Sequence, residues 1–241
     1  MAVDFRRDGV RSSLVWDVLS EVISARVAAT GRPVLDIVDV GGGTGGLAVP
    51  FAAAGHNVTV VDPSPDALAA AHRRAAEAGA RLTSVQGEAA SLDSVVGTGA
   101  ADLVICHNVL EYVEEPADAM SAIARVLRPS ATVSVLASNA VAAVLHRALV
   151  GRFAEARKLL TEPAASTPRR FTLPDLTELV EQAGLHAGEA HGLRIFGGLI
   201  PGALLDGDAA AADALRALEE AAASTPPLRD IAAQLHVLGH H

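Results

Sequence analysis

The glycine-rich stretch DVGGGTGG, residues 39–46, constrains the fold of this chain more than any other feature. It ends a short apolar run at 34–40 that predicts a buried parallel strand, and it precedes an apolar stretch at 47–54 that predicts a helix. Glycines at a strand-to-helix turn let the backbone approach a ligand where a Cβ atom would collide with it. The stretch therefore predicts an α/β protein with a ligand site at the carboxyl end of its first strand.

Strands and helices alternate downstream of this stretch. Ser64 is a good N-cap and Pro65 a favourable first residue for a helix predicted at 65–78, which Gly79 terminates. Apolar strands that alternate with helices are typical of a parallel sheet covered on both faces. We therefore predict a doubly wound, mostly parallel α/β sheet. Its strands in this region lie at 57–61, 82–85, 102–107 and 132–137, and a further helix lies at 116–127.

The two ends of the chain add helices and two strands. Apolar residues at helical spacing predict a helix at 11–29, and a second helical region at 141–160 is expected to break at Gly151. The predicted strands then number seven, the last of them at the edge of the sheet. The remaining C-terminal elements are helices at 173–183 and 209–223, a polar loop at 162–170, and strands at 185–196 and 233–238.

No linker divides these parts, so we predict one domain in three sections. Residues 1–32 form an N-terminal helical extension, residues 33–137 a ligand-binding core, and residues 138–241 further helices and the C-terminal strands. Apolar stretches are interrupted well before membrane-spanning length, and the first residues lack the apolar core of a signal peptide. We therefore expect a cytoplasmic protein with no membrane partner.

Charge and cysteine content bear on partners and cofactors. The net charge of −9 opposes general binding of nucleic acid and favours small-molecule substrates. Cys106 is the sole cysteine in the sequence, so no internal disulfide is possible. No cysteine or histidine cluster has the spacing of a zinc site, and no metal is expected.

The glycine stretch satisfies two ligand-binding patterns. Gly41, Gly43 and Gly46 match the G-x-G-x-x-G pattern of nicotinamide and flavin binders. Asp39, Gly41, Gly43 and Gly45 match the acid-x-G-x-G-x-G pattern of methyltransferases. The two patterns predict different cofactors, so features outside the glycines must distinguish them.

Asp39 favours the second pattern, because a carboxylate there suits a cationic ligand with a free α-amino group and would repel a pyrophosphate. The run CHNVLEYVEEP at 106–116 and the helix–turn–strand run LRPSATVSVL at 127–136 also resemble the class I S-adenosylmethionine-dependent methyltransferases. That resemblance implies S-adenosylmethionine as cofactor. An NAD-dependent oxidoreductase or a non-catalytic nucleotide binder is the alternative.

Three segments carry a closer resemblance: NVLEYVEEP, SNAVAAVLHRALVGRF at 138–153, and GLRIFGGLIPG at 192–202. They resemble the bacterial tRNA 5-carboxymethoxyuridine methyltransferase family, with gaps, over residues 34–237. This resemblance implies a carboxylate on a modified wobble uridine of tRNA as methyl acceptor. The loop at 162–167 lacks the basic run expected of that family, so a small-molecule O- or N-methyltransferase is the alternative.

Carried over by position, the resemblance implies that Asp39 and Gly41 face the methionine end of the cofactor and Asp62 its ribose. Glu88 or Ala89 would lie beside the adenine, and His107 would line the cofactor or substrate pocket. The predicted cofactor-binding residues are Asp39, Gly41, Gly42, Gly43, Gly45, Asp62, Pro63, Glu88, Ala89 and His107.

Two residues are predicted to be catalytic, His107 and Arg194, of which Arg194 matches an arginine of the family's substrate face. A carboxylate acceptor is already ionised and needs cationic groups to hold it, for which Arg147, Arg152 and Arg194 are the predicted substrate-binding residues. A hydroxyl or amine acceptor needs a general base, for which His107 is best placed. Further candidates are His146 and His236 as bases, and Arg169 and Arg170 as part of a basic surface for tRNA.

Overall fold

The computed structural model describes residues 5–162, 168–200 and 209–241, with side chains from residue 14 onward. Seven strands form one mostly parallel sheet in the order β3-β2-β1-β4-β5-β7-β6, which confirms the predicted α/β class. The strands are β1 Asp36–Val40, β2 Asn57–Asp62, β3 Thr83–Gln86, β4 Ala101–His107, β5 Leu127–Ser138, β6 His186–Leu193 and β7 Gln234–His240.

Nine helices occur in the described part of the chain. The short helix α4 follows a 3₁₀ turn at Ala89–Ser91 and was not predicted, and the helical region at 141–160 breaks at Gly151 as expected. The helices are α1 Phe5–Thr30, α2 Ala48–Ala53, α3 Pro65–Glu77, α4 Leu92–Val96, α5 Pro116–Val126, α6 Ala140–Leu149, α7 Phe153–Thr161, α8 Leu173–Gln182 and α9 Ala209–Ala222.

Strand β1 marks the point where the strand order reverses. It pairs in parallel with β2 on one side and with β4 on the other, so that Asp39 lies opposite Val60 and Ile105. Parallel strands bring their carboxyl ends to one edge of the sheet, and ligands of such folds bind where the strand order reverses. The ends of β1, β2 and β4 therefore mark the candidate site.

The core forms where apolar strands meet apolar helix faces. Strand β4 is buried from Ala101 to Cys106, and helix α5 presents Met120 and Ile123 as fully buried side chains. Asp102, at the start of β4, is the main exception: its buried carboxylate accepts hydrogen bonds from Arg26, Arg32, Arg128 and the Asp36 amide. Three guanidinium groups and one amide thus compensate a charge removed from water.

The chain divides into two compact units. The first, called here the glycine-loop unit, comprises Glu21–Leu136, Thr177–Glu189 and Val237–His241. The second, called here the hairpin unit, comprises Met1–Ser20, Ala137–Leu176 and Ala190–His236. The glycine stretch, Asp62 and His107 belong to the first, whereas α6, α7, Arg194 and α9 belong to the second.

One prediction about the sheet is wrong. The last strand, expected at 233–238 as an edge strand, is β7 and lies between β5 and β6, so β6 forms that edge. Strand β7 is buried along nearly its whole length, including the polar residues Gln234 and His236. Those polar residues give an interior strand the alternating sequence of a half-exposed one. The loop predicted at 162–170 lies partly outside the described residues.

Candidate active site

The glycine turn begins directly after β1 in a conformation that favours glycine. Gly41 has a φ of +63° and Gly43 a φ of +54°, both in the left-handed region. The Gly41 amide donates a hydrogen bond of 2.7 Å to the Val61 carbonyl oxygen, which ties the turn to the end of β2. A Cβ atom on Gly41 would collide with the Val109 side chain. The predicted role of these glycines in close backbone approach is compatible with this geometry.

Asp62, the last residue of β2, orients the same turn. Its Oδ2 atom accepts a hydrogen bond of 2.9 Å from the Gly43 amide, and its Oδ1 atom accepts one of 2.8 Å from the Ser64 amide. The residue is 8% exposed. Each oxygen has a second lone pair, so the carboxylate can accept further hydrogen bonds from a ligand. Sequence and structure therefore agree in placing an acid at this strand end.

Asp39 is the most perturbed acid of the site. It lies on β1, is 4% exposed, and has its pKa raised from 3.8 to about 7. Burial is the main cause, the negative charge of Asp62 adds to it, and a hydrogen bond from the Ala48 amide opposes it. A Cβ atom on Gly42 would lie only 2.6 Å from the Asp39 Oδ2 atom. This carboxylate is poised to gain from a cationic partner.

Three further predicted residues follow the neighbouring strands. Pro63 comes directly after β2, and its carbonyl oxygen accepts a hydrogen bond of 3.2 Å from the Gln86 side-chain amide. Glu88 and Ala89 follow β3, with the Glu88 side chain exposed and Ala89 buried. All three thus lie beyond the carboxyl ends of adjacent strands, as the predicted cofactor site requires.

His107 ends β4 and is partly buried. Its Nε2 atom lies 2.7 Å from the Ser134 hydroxyl oxygen on β5, a hydrogen-bonding distance. Asn108 follows with a φ of +56° and donates its amide to the Leu136 carbonyl oxygen at 2.7 Å. Ser134 is fully buried and was not predicted to belong to the site, because a serine within an apolar strand looks like a tolerated core residue. Its bond to His107 fixes the imidazole ring.

Glu111 is a second residue that the sequence did not single out for chemistry. Its side chain is buried just after β4, and its charge and that of Asp39 act on the Cys106 thiol. Burial is the largest cause that raises the pKa of this thiol far above its usual range, and the two carboxylates add to it. Cys106 is therefore protonated and unreactive.

Arg194 lies in the hairpin unit, directly after β6. Its φ is +59°, and the amides of the next three residues, Ile195, Phe196 and Gly197, donate hydrogen bonds of 2.7, 2.9 and 2.7 Å to the Glu219 carboxylate. Glu219 is on α9 and is only 5% exposed. A buried carboxylate that accepts three amides holds the backbone beside Arg194 in one conformation. Within this unit a shallow cleft is lined by Leu14, Gly192, Leu193, Arg194, Glu219 and Glu220.

The other predicted arginines and bases occupy varied surroundings. Arg147 and Arg152 both lie near Glu155, at 3.1 and 3.7 Å, and so share one carboxylate on the α6–α7 hairpin. His146 is exposed on α6. His236 is instead buried in β7, with its Nδ1 atom 3.3 Å from that of His191, so it does not offer a solvent-facing base.

Arg169 and Arg170 precede the bridge residue Phe171. Arg169 is exposed, and Arg170 is partly buried and donates a hydrogen bond of 3.3 Å to the Pro168 carbonyl oxygen. Among the described residues, no group of three or more histidine, cysteine or acidic side chains could hold a metal ion. None of the described helices is long and apolar enough to cross a membrane.

Comparison with known proteins identifies the family. Residues 38–135 match the family model of a methyltransferase domain. A tRNA 5-carboxymethoxyuridine methyltransferase of Escherichia coli O157:H7 is 28% identical over 78% of this chain and 72% of its own length. A ubiquinone biosynthesis O-methyltransferase of Thiobacillus denitrificans is 33% identical over 71% of this chain and 72% of its own length.

A solved structure shows the same fold. Magnesium protoporphyrin IX methyltransferase from Synechocystis, crystallised with bound S-adenosylhomocysteine, superposes with a TM-score of 0.61 at 19% identity, over 100% of this chain and 89% of its own. These matches decide between the two patterns of the glycine stretch. The chain belongs to the S-adenosylmethionine-dependent methyltransferases of the class I fold, and S-adenosylmethionine is its cofactor.

Proposed function

We propose that the chain transfers a methyl group to a carboxylate of a modified wobble uridine in tRNA. The observation that carries this proposal is a local reversal of charge in the hairpin unit. The chain as a whole has a net charge of −9, whereas residues 139–172 hold six arginines and lysines against two acids, a net charge of +4. The cations are Arg147, Arg152, Arg157, Lys158, Arg169 and Arg170, and the acids are Glu155 and Glu162.

A concentrated basic segment on an acidic protein favours a polyanionic partner at that place, because phosphate contacts dominate affinity for nucleic acid. The E. coli relative named as a tRNA 5-carboxymethoxyuridine methyltransferase supports the same acceptor. Its similarity extends beyond the residues matched by the family model and so includes part of the hairpin unit.

The proposed cofactor site fits the chemistry of S-adenosylmethionine. Asp39 would bind its α-ammonium group. The buried Asp39 carboxylate has a raised pKa, and an ion pair with a cation would stabilise its ionised form. The left-handed turn at Gly41 and Gly43 leaves room for backbone approach, and Asp62 would accept the ribose hydroxyls. When bound, the cofactor supplies an electrophilic methyl group on a sulfonium. Gly42, Gly45, Pro63, Glu88 and Ala89 complete the proposed contacts.

Acceptor chemistry assigns the remaining roles. A carboxylate is ionised near neutral pH, so the protein needs no base and must chiefly hold the oxygen in line with the methyl group. Arg194 is the proposed cation for that purpose, and Glu219 fixes the backbone that follows it. Arg147 and Arg152 are proposed to contact the acceptor's phosphates, and His107 to line the pocket.

A second candidate is methylation of a hydroxyl group on a small molecule. The hydrogen bond of 2.7 Å between His107 and Ser134 favours it, because a fixed imidazole is suited to remove the proton of a hydroxyl acceptor. The overall charge of −9 also suits a small acceptor better than a polyanion. The relative named as a ubiquinone biosynthesis O-methyltransferase is consistent with this chemistry.

Labelled methyl transfer distinguishes the two candidates. The purified protein is incubated with methyl-labelled S-adenosylmethionine and either total tRNA from a strain lacking its own wobble-carboxyl methyltransferase or a metabolite extract. Asp62→Ala, at a cofactor concentration near the wild-type Kd, is the control with reduced activity. A methyl ester on tRNA releases volatile label as methanol under mild alkali, whereas an ether or amine does not. Alkali-labile label on tRNA supports the proposal. Label confined to the extract, or stable to alkali, overturns it.

A further inference from the structure

The hairpin formed by α6 and α7 exposes an unusual amount of apolar surface. Gly151, with a φ of +77°, joins the two helices, and the Arg152 amide donates a hydrogen bond of 2.8 Å to the Arg147 carbonyl oxygen. Helix α6 has no buried residue, and Ala156 is the one buried residue of α7. Four large apolar side chains are more than half exposed, namely Leu149, Val150, Phe153 and Leu160.

The exposed side chains of α7 form an ordered pattern. Phe153, Arg157 and Leu160 are spaced i, i+4 and i+7, so they lie on one face of the helix. Phe153 is 71% exposed and Leu160 is 69% exposed, and Arg157 is also exposed. The cation thus lies between the two apolar side chains. We call these three residues the α7 face.

This pattern distinguishes two kinds of partner. A helix that binds a membrane surface keeps its cations beside a continuous apolar stripe, so that the stripe enters the lipid without them. On the α7 face the guanidinium lies within the apolar surface and would have to enter with it. An unpaired nucleotide instead offers an apolar base and an anionic phosphate a few ångströms apart, which matches an aromatic ring next to a cation.

We propose that the α7 face binds an unpaired nucleotide of the RNA acceptor, with Phe153 stacked on the base and Arg157 on the adjacent phosphate. Leu160 would cover the edge of the stacked base, and Arg152, next to Phe153 in sequence, would contact the backbone. This inference rests on the proposed function to the extent that the acceptor is an RNA. The proposed function names residues that contact the methylated group, and this inference adds a second surface that binds another nucleotide of the loop.

Binding can be measured without methyl transfer. The probe is a fluorescein-labelled RNA stem-loop with seven unpaired loop nucleotides, titrated with the full chain by fluorescence anisotropy. Phe153→Ala is expected to weaken binding by about 5- to 150-fold, the range for loss of one stacked base. Arg157→Glu is expected to weaken it and to reduce its salt dependence. Leu218→Ala and Arg81→Glu, at exposed positions outside helices α6 and α7, are matched controls and should bind as the wild type does.

Two results would overturn the inference. One is RNA binding by Phe153→Ala and Arg157→Glu that equals binding by the controls. The other concerns vesicles of phosphatidylglycerol. If the same two variants lose the binding of these vesicles that the wild type shows but still bind RNA, the α7 face is a membrane-binding surface. Both substituted side chains are exposed, and unchanged thermal unfolding would show that the variants fold.

Methylation assays separate this inference from the proposed function. If the wild type methylates tRNA and Phe153→Ala has an unchanged KM for tRNA, the inference that the α7 face binds RNA is wrong and the proposed function stands. If the wild type binds the stem-loop through the α7 face yet leaves tRNA unmethylated, the proposed function is wrong and the inference that the α7 face binds RNA stands. A raised KM for tRNA with an unchanged KM for S-adenosylmethionine supports both.

Discussion

Asp39 and Asp62 stand at the ends of adjacent parallel strands in different surroundings. Asp62 accepts backbone amides on both oxygens, which orient the carboxylate and hold the glycine turn. Asp39 is buried beside it, and its pKa is raised to about 7 mainly by burial and further by the charge of Asp62. One acid is therefore suited to orient neutral hydroxyl donors, and the other to meet a cation. This difference permits separate tests of the two residues.

Replacement of Asp62 should weaken cofactor binding. We expect Asp62→Ala to reduce the affinity for S-adenosylhomocysteine by about 1–3 kcal/mol, the usual loss for a buried hydrogen-bonding partner. Isothermal titration calorimetry measures the change. Asp62→Asn keeps one acceptor for the Gly43 amide and should lose less, and Asp66→Ala, an exposed acid at the start of α3, is the matched control. Wild-type affinity in Asp62→Ala would remove this residue from the site.

Cofactor affinity should depend on the ionisation of Asp39. Below a pKa of about 7 the carboxyl carries a proton, which a ligand ammonium group must displace. Affinity for S-adenosylhomocysteine should therefore rise by about tenfold between pH 6 and pH 8. Asp39→Asn should bind weakly and without this pH dependence, whereas Asp66→Asn should retain it. A pH-independent wild type would contradict a role for Asp39 in binding the ammonium group.

The same carboxylate should destabilise the ligand-free protein. The pKa of Asp39 is higher in the folded chain than its ordinary value of 3.8, so between about pH 4 and pH 7 the folded state holds more protons than the unfolded state. Stability from this group is therefore present at low pH and is lost as pH rises through that window. Asp39→Asn should raise the unfolding free energy at pH 8 by about 1–3 kcal/mol. Chemical denaturation at pH 5 and pH 8 tests this, since the gain should be small at pH 5.

At the scale of elements, local sequence predicted the regular part of the fold. Strands β1, β2 and β4 are apolar runs bounded by glycine or polar residues, and their burial explains why the pattern identified them. The N-cap of α3 formed as predicted, since the Ser64 hydroxyl accepts a hydrogen bond from the Ala67 amide. The strand ends then located Asp39, Asp62 and His107 without further information.

Contacts between distant segments were beyond the sequence. Glu219 resembles a solvated charge in an alanine-rich helix, and its burial follows from amides more than twenty positions away. Ser134 resembles a core residue of β5 until β4 places His107 beside it. Strand β7 was assigned to the wrong position because its buried polar residues imitate a solvent-facing side. In each case the decisive partner comes from tertiary structure.

Glu219 should affect turnover through the segment that follows β6. In Glu219→Gln one oxygen can still accept the Phe196 and Gly197 amides, but the side-chain amide would face the Ile195 amide, donor against donor. We expect a lower kcat with unchanged affinity for S-adenosylhomocysteine, as also expected for Arg194→Ala. Glu219→Asp should recover part of the activity. Asp213→Asn, at an exposed position of α9, is the control. A loss of thermal stability with wild-type kcat would show that Glu219 is structural only.

At the scale of the whole molecule, charge is distributed unevenly along the chain. Residues 139–172 carry +4 within a chain of −9, so the other residues together carry −13. An acidic protein repels a polyanion at long range, and affinity for RNA must then come from short-range contacts with the basic segment. Such contacts release the counterions condensed on a polyanion, whereas binding of a small cofactor without phosphate groups does not. Ionic strength therefore acts differently on the two substrates.

Salt should weaken the use of tRNA far more than the binding of S-adenosylhomocysteine. If Arg147, Arg152 and Arg157 each contact a phosphate, a plot of log(kcat/KM) for tRNA against log salt concentration should have a slope of about −2. Between 50 and 200 mM salt kcat/KM should then fall roughly 15-fold. Arg157→Glu should make the slope shallower, and Arg81→Glu should leave it unchanged. Equal salt dependence in both variants would place the phosphate contacts elsewhere. If kcat/KM of the wild type for tRNA does not change with salt, the basic segment contributes nothing to catalytic efficiency, and the small-molecule acceptor is favoured.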